Sequence, residues 1–175
     1  LAISFRQSHG RGDGAGQGAR YVRAVDGVSL RLPGVLARPR GPSGMKSAFM
    51  SDLFHALRAG HPFVCPVSAS GTIWAQSVAR CAETFITGLS ADTGLLPPGR
   101  AVTLPALRVT MGDLADEIAR QCGVSAELVT YAPDPGLEAA FAAQPPLVTA
   151  AAERLGFNHD GTLARLVSHA LAGLA

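Results

Sequence analysis

The segment that decides the fold is residues 26–39, which read DGVSLRLPGVLARP. Apolar and polar side chains alternate over residues 28–32, and this period of two is typical of a β-strand with one buried face. A Pro-Gly pair interrupts the alternation, and a short apolar run then continues toward Arg38. The segment therefore predicts a strand, a turn and a second extended stretch that leads into a loop.

Outward from this segment, extended and helical patterns alternate along the chain. Apolar residues at helical spacing predict helices over 46–59, 78–89, 111–122, 147–155 and 162–171. Short apolar runs predict further strands over 63–67, 71–75, 101–104 and 128–131. Ser77 and Thr110 are suitable N-caps, and Pro133-Asp134-Pro135 is expected to break the chain. This mixed order indicates an α/β or α+β architecture.

Length and composition set the general class. The chain has 175 residues, a length that suits one domain with a sizeable core. Apolar residues make up 47% and charged residues 16%, against about 25% charged residues in an average globular protein. This composition excludes a disordered chain and suggests that part of the surface is covered by a partner subunit or by further chain.

The cysteines and the apolar runs bear on location. Cys65, Cys81 and Cys122 are widely spaced, and no Cys-x-x-Cys pair occurs, so neither a zinc knuckle nor a disulfide framework is indicated. No apolar run approaches the roughly 18 residues that a membrane span needs, and no signal peptide opens the sequence. We expect a cytoplasmic protein with reduced thiols, without a metal site and without a membrane partner.

The first 40 residues are basic, with seven Arg and two Asp. No aromatic interleaving, no lysine cluster and no amphipathic period accompanies these arginines, so the sequence predicts no nucleic-acid partner. Residues 1–20 contain five alternating glycines, and we expect this segment to be irregular or disordered. Residues 14–19 fit the Gly-x-Gly-x-x-Ala pattern of a dinucleotide-binding turn, but no strand pattern precedes them, as such a turn requires.

The segment at residues 28–39 resembles the Leu-Arg-Leu-Pro-x-Val-x-x-Arg-Pro strand and loop of extended short-chain dehydrogenases, the NAD-dependent epimerase/dehydratase family. The residues that carry the likeness to the D-erythronate dehydrogenase branch continue downstream: Arg40 to Ser43, Ser47 to Phe49, Pro66-Val67, Trp74, Ser77, Thr103 to Thr110, and Leu155 to Phe157. The resemblance covers about residues 22–173. Its motifs are moderately specific, because no single one is diagnostic.

The resemblance implies an α/β fold: the C-terminal part of a Rossmann-type extended short-chain dehydrogenase with its small α/β substrate-binding subdomain. Residues 21–175 would form this C-terminal Rossmann remnant and the substrate-binding region. The implied enzyme uses NAD or NADP to oxidise the secondary alcohol of a small sugar acid. Most of the cofactor site would lie outside this chain, and a homodimer is an expected assembly.

Two parts of the family's machinery are missing from the sequence. No Gly-x-x-Gly-x-x-Gly turn follows a strand, and no Tyr-x-x-x-Lys pair occurs, since Lys46 is the single lysine. The catalytic pair would fall in the Gly-rich segment within residues 1–20. A shifted reading frame across that segment is the explanation we favour, and we expect the chain to be inactive alone, with no catalytic residue of its own.

The resemblance assigns seven site residues. Pro33, Gly34 and Val35 match the backbone that faces the nicotinamide carboxamide, and Arg38, Ser43, Ser47 and Trp74 match the substrate side. Arg38 could pair with a carboxylate through two parallel hydrogen bonds. The family usually has Asn where Ser43 stands, and this departure bears on substrate preference.

Each assignment has a structural alternative. Arg38 could cover an exposed loop, Pro33-Gly34 could end a strand, Ser47 could begin a helix, and Trp74 could simply pack. Ser51 and His55 share one helix face, but without a third orienting acid they are interpreted as surface or partner-facing residues.

Three functions remain open at this stage. The first is the C-terminal half of a sugar-acid dehydrogenase. The second is a nucleotide-sugar epimerase or dehydratase of the same family, and the third is a non-catalytic remnant that acts as a binding module.

Overall fold

The computed structural model describes residues 2–7, 25–41 and 44–174, and these residues form a mixed α/β architecture. Within those ranges the strands are β1 (Ala2–Gln7), β2 (Val25–Arg31), β3 (Gly34–Leu36), β4 (Phe63–Cys65), β5 (Thr72–Ser77), β6 (Ala101–Thr103), β7 (Leu107–Thr110) and β8 (Val129–Tyr131). The α-helices are α1 (Phe49–Arg58), α2 (Val78–Ser90), α3 (Met111–Cys122), α4 (Pro135–Phe141), α5 (Ala150–Arg154) and α6 (Leu163–Ala172). The expected α/β class is confirmed.

The strands form three small sheets. In the first, β2 lies between β1 and β6, antiparallel to β1 and parallel to β6. In the second, β5 lies between β3 and β7, parallel to β3 and antiparallel to β7. The third is the parallel pair β4 and β8. The chain leaves the first sheet after β2 and enters the second at Gly34, so the Pro-Gly interruption in the sequence marks a change of sheet.

Two apolar cores hold the sheets and helices together. In the larger core α1, α3 and α6 pack around the second sheet, with Leu36, Leu53 and Ile73 almost fully buried. In the smaller core Leu30 of β2 packs with Phe157, which follows α5. The connection between β2 and β3 therefore bridges the two cores.

Helix ends follow the expected capping chemistry. The Ser77 hydroxyl accepts a hydrogen bond from the Arg80 amide at 3.1 Å, and the Thr110 hydroxyl accepts from the Asp113 amide at 3.0 Å. The α3 helix ends at Gly123, whose φ of +69° is the left-handed conformation that glycine adopts readily. These three predicted boundaries are confirmed.

The structure differs from the sequence prediction at three elements in the second half of the chain. Pro133-Asp134-Pro135 does not simply break the chain, because Asp134 caps helix α4 and Pro135 is its first residue. Strand β7 was not predicted, since it is short and follows Pro105 closely. The helix predicted over 147–155 is shortened to α5.

The segment 1–20 was expected to be irregular or disordered, but Ala2–Gln7 form β1 and pair antiparallel with β2. Ile3 and Phe5 alternate with polar neighbours, but a period of two over so few residues is a weak strand signal next to the glycines that follow. Residues 8–20, which carry the glycine alternation and the reading-frame hypothesis, lie outside the described residues.

Helix α2 is an apolar helix with little burial. Thr84 and Gly88 are its buried residues, whereas Ile86 and Leu89 are 67% and 51% exposed. No helix in the described part of the chain is long and apolar enough to cross a membrane.

Candidate functional site

A cleft of about 510 Å³ opens beside the connection between β2 and β3. Six of the seven predicted site residues line it: Pro33, Gly34, Val35, Arg38, Ser47 and Trp74. The seventh, Ser43, lies outside the described residues. The volume is within the roughly 300–1,000 Å³ range of small-molecule sites. The fold thus brings residues from β3, β5 and the loop before α1 to one concave surface.

Gly34 allows the two strands at the base of the cleft to approach closely. It pairs with Ala75 across the parallel β3–β5 ladder. A Cβ atom at this position would lie 2.8 Å from the carbonyl oxygen of Trp74, too close for an ordinary contact. Pro33-Gly34 therefore does more than end a strand, because Gly34 begins the next one.

The backbone of Arg38 is held by helix α1. The Arg38 amide donates to the Ser51 hydroxyl at 3.3 Å, and the Arg38 carbonyl lies 2.8 Å from His55 Nε2. A carbonyl can only accept, so the Nε2 atom carries the proton and donates. The preceding residue, Ala37, is buried and has φ of +52°, a left-handed conformation that costs a non-glycine residue on the order of 1 kcal/mol.

The interpretation of Ser51 and His55 as surface or partner-facing residues is therefore wrong for Ser51. Ser51 is 5% exposed and His55 is half-buried, and both face the loop that carries Arg38. Their spacing of four residues placed them correctly on one helix face, but periodicity alone does not tell which segment that face contacts.

The Arg38 side chain has unused hydrogen-bonding capacity. Its Nε atom is buried, and no acceptor among the described residues lies within hydrogen-bond distance of it. Its other observed contact is from Nη1 to the sulfur of Met45 at 3.3 Å, and thioether sulfur is a weak acceptor. A buried donor without a partner costs about 1–3 kcal/mol, so an anion placed beside Nε would relieve that cost.

Ser47 lies in a single 3-10 turn, Lys46–Ala48, at the start of α1. The turn has no side-chain cap, and neither does α1, so Ser47 does not act as a capping residue. Its hydroxyl, on the rim of the cleft, makes no hydrogen bond to the described residues. The helix-start alternative thus leaves this hydroxyl without a role.

Trp74 lines the cleft, and it also holds the segment at residues 144–145, which contributes Gln144 to the lining. Its indole Nε1 donates to the Pro145 carbonyl at 2.7 Å, while Arg108 Nε donates to the Gln144 carbonyl at 2.7 Å. The Thr72 hydroxyl donates to that Gln144 carbonyl as well, at 3.0 Å. Residues 144–145 are thereby fixed along β5, and the indole N–H is already engaged by the protein.

Sequence reasoning missed the far side of the cleft. Met50, Ile73, Phe141 and Gln144 also line it. Phe141 belongs to α4, the helix that the Pro-Asp-Pro pattern did not predict. Its ring and that of Phe49 form a T-shaped pair with centroids 6.3 Å apart. Phe141 and Gln144 could be placed near β5 from the sequence only if α4 were predicted.

Titratable groups away from the cleft have structural partners. The carboxylate of the fully buried Asp160 accepts from the amide and the hydroxyl of Ser77 at 3.0 and 2.7 Å, and it lies 3.1 Å from His169 Nδ1. Burial raises the pKa of the Cys65 thiol. No group of three or more His, Cys, Asp or Glu side chains suited to a metal ion occurs in the described ranges.

Two curated proteins that resemble the chain are both named D-erythronate dehydrogenase. The one from Cupriavidus necator is 29% identical over 155 residues, which are 86% of this chain and 48% of that protein. The one from Haemophilus influenzae is 29% identical over 99 residues, which are 57% of this chain and 31% of that protein. The chain thus spans about half the length, or less, of the curated relatives it matches. No family model matches the sequence.

Solved structures of similar fold also match the chain. A nucleoside-diphosphate-sugar epimerase from Agrobacterium tumefaciens superposes with a TM-score of 0.71 at 25% identity, over 81% of this chain and 42% of that one. The holo form of a GalE-like L-threonine dehydrogenase from Cupriavidus necator gives 0.72 at 21% identity, over 85% of this chain and 48% of that one.

The fold of the described residues is similar to that of Rossmann-like dehydrogenases and epimerases. The comparisons support a likeness to the C-terminal part of an extended short-chain dehydrogenase, of the NAD-dependent epimerase/dehydratase family.

Proposed function

We propose that the chain forms the substrate-side wall of an NAD-dependent oxidoreductase that acts on the secondary alcohol of a small sugar acid similar to D-erythronate. The observation that carries this proposal is the buried Nε of Arg38, which has no acceptor among the described residues and belongs to a residue that lines a cleft of substrate size. In this proposal residues 21–175 are the C-terminal Rossmann remnant and the substrate-binding region.

The substrate contacts follow from the chemistry of the lining residues. A guanidinium and a carboxylate form a charge-assisted pair that is about twice as strong as a neutral hydrogen bond. Arg38 would bind the acid group, the free Ser47 hydroxyl would bond a substrate hydroxyl, and Trp74 would supply an apolar wall. Ser43 would complete the loop side of the site.

The cofactor would meet this chain at the base of the cleft. Pro33, Gly34 and Val35 line it there, and they would face the carboxamide end of a nicotinamide from NAD or NADP. When bound, the nicotinamide ring accepts the hydride of the oxidised alcohol. Most of the cofactor site would lie outside this chain.

The chain would be inactive alone, because its sequence holds no Tyr-x-x-x-Lys pair to take the hydroxyl proton. Mixing it with NAD and D-erythronate should produce no NADH. Its three cysteines are free thiols, which favours a cytoplasmic protein, and a homodimer without nucleic-acid or membrane partners is the assembly we propose.

A nucleotide-sugar epimerase or dehydratase is the second candidate. The similarity to the nucleoside-diphosphate-sugar epimerase, at 25% identity, favours it. The two candidates differ in the ligand that Arg38 would meet, a carboxylate in the first and a diphosphate in the second. A non-catalytic remnant would bind neither.

Trp74 is the single tryptophan and lines the cleft, so its fluorescence reports ligand binding directly. Titration with D-erythronate should give a saturable change in emission, and Arg38→Ala should weaken the affinity roughly 10- to 150-fold, the equivalent of about 1.5–3 kcal/mol for a hydrogen-bonded charge. The measurement is the dissociation constant of each variant.

Arg40→Ala is the matched control, since Arg40 lies on the same loop but does not line this cleft. It should leave the affinity unchanged. Saturable binding of a uridine diphosphate sugar in place of the acid would favour the epimerase, and a response to neither would favour the remnant. NADH formation by the chain alone would contradict the expected inactivity.

A further inference from the structure

We infer that Ser51 and His55 are positioning residues that hold Arg38 ready for a carboxylate ligand. This inference rests on the proposed function, because it deepens the role of Arg38 in that same site. Neither residue lines the substrate cleft, so both would act through Arg38.

Ser51 and His55 restrain both backbone polar groups of Arg38, its N–H and its C=O. The Ser51 hydroxyl accepts from the Arg38 amide at 3.3 Å, and His55 Nε2 donates to the Arg38 carbonyl at 2.8 Å. Ser51 and His55 stand one turn apart on α1, so a single rigid element fixes the residue from both sides. The left-handed Ala37 directly before Arg38 needs such restraint, because that conformation is unfavourable for a free chain.

Arg38 also has an alternative space to occupy. A second cleft of about 470 Å³ lies between the loop and α1, and Arg38 and Met45 line both clefts. His55, Asp52 and Arg40 line the second cleft but not the first. The Arg38 side chain therefore forms part of the partition between the clefts, and its backbone restraint decides which cleft receives the guanidinium.

Substitutions at His55 test this role in the intact chain. Glutamine places an amide N–H where imidazole Nε2–H stands, whereas asparagine places its donor nearer the backbone. With D-erythronate as the probe and Trp74 emission as the signal, His55→Asn should weaken binding about tenfold, while His55→Gln should stay within about twofold of the original chain. Ser51→Ala should weaken it about threefold, since its hydrogen bond is longer.

His61→Asn is the matched control, because His61 is exposed just beyond the same helix, and it should not change the affinity. Thermal unfolding of each variant is recorded in parallel. A structural role alone would lower the midpoint of His55→Asn and leave the affinity of the folded protein unchanged, and this result would overturn the inference.

Equal weakening by His55→Gln and His55→Asn would also overturn the inference, since the hydrogen bond to the Arg38 carbonyl would not be the cause. Both of these results leave the proposed function intact if the original chain binds D-erythronate. Failure of the original chain to bind D-erythronate would overturn the proposed function, and this inference with it.

Discussion

Two backbone positions shape the cleft at the scale of single residues. Gly34 lets β3 approach β5 more closely than any side chain would allow, and Ala37 turns the chain sharply before Arg38. Both positions shape the cleft of the free protein, before any ligand binds. The cleft is therefore sensitive to small changes in residues that carry no functional group.

Gly34→Ala should destabilise the protein by about 1–3 kcal/mol, because the added methyl group would overlap the Trp74 carbonyl, a backbone atom with little freedom to move. Urea unfolding followed by Trp74 fluorescence measures the change. Gly41→Ala is the control, since a Cβ atom there meets nothing within 4 Å, and it should stay within about 0.5 kcal/mol. Equal effects of the two substitutions would contradict the close approach.

Part of the candidate site could be predicted from the sequence at the scale of single residues. The family resemblance named the residues on the near side of the cleft, from Pro33 to Trp74, but it did not show that the indole N–H of Trp74 is engaged by Pro145. The contacts of Ser51 and His55 join residues 13 and 17 positions from Arg38. Such contacts depend on how α1 packs, which local patterns do not encode.

At the scale of elements, helix α4 forms the far side of the cleft. Its N-cap, Asp134, accepts from the amides of Gly136 and Leu137 at 2.8 and 2.9 Å. Glu138, one turn later, accepts from the amide of Ser68 at 2.7 Å and so ties the helix to the loop before β5. This short helix positions Phe141 and the segment that Trp74 and Arg108 hold.

Asp134→Ala should cost about 1 kcal/mol of stability, because two amides at the start of α4 would lose their acceptor. Asp134→Asn retains the side-chain oxygen and should cost at most a few tenths of a kcal/mol. The free energy of unfolding in urea measures both. An equal loss with asparagine and with alanine would show that the charge, rather than the cap, matters.

Most elements could be predicted from the sequence, because apolar periodicity and capping residues are local signals. The failures have physical reasons that differ. Pro135 was interpreted as a breaker although proline suits the first turn of a helix, where its missing N–H would have no partner in any case. Strand β7 is defined by pairing with β5, and such pairing is not visible in four residues.

At the scale of the whole molecule, the two cores divide the chain unevenly. The larger one encloses the second sheet, while the smaller one rests on Leu30, Val102, Leu155 and Phe157. The low charged fraction of the sequence, 16%, suggested that apolar surface exists, but composition does not say where. Helix α2 is one such place, since Ile86 and Leu89 remain exposed.

The exposed face of α2 has a consequence for the colloidal behaviour of the protein. Sulfate and phosphate strengthen the association of apolar surfaces. The exposed Ile86 and Leu89 should therefore make the protein precipitate at a low ammonium sulfate concentration. Ile86→Glu should raise the ammonium sulfate concentration at which half of the protein precipitates.

Ala82→Glu adds the same charge to the same helix at another exposed position, without removing a large apolar side chain. It should raise that concentration less. If both substitutions change the precipitation point equally, net charge sets the solubility. If Ile86→Glu has the larger effect, the apolar face of α2 limits how concentrated a solution of this protein can be kept.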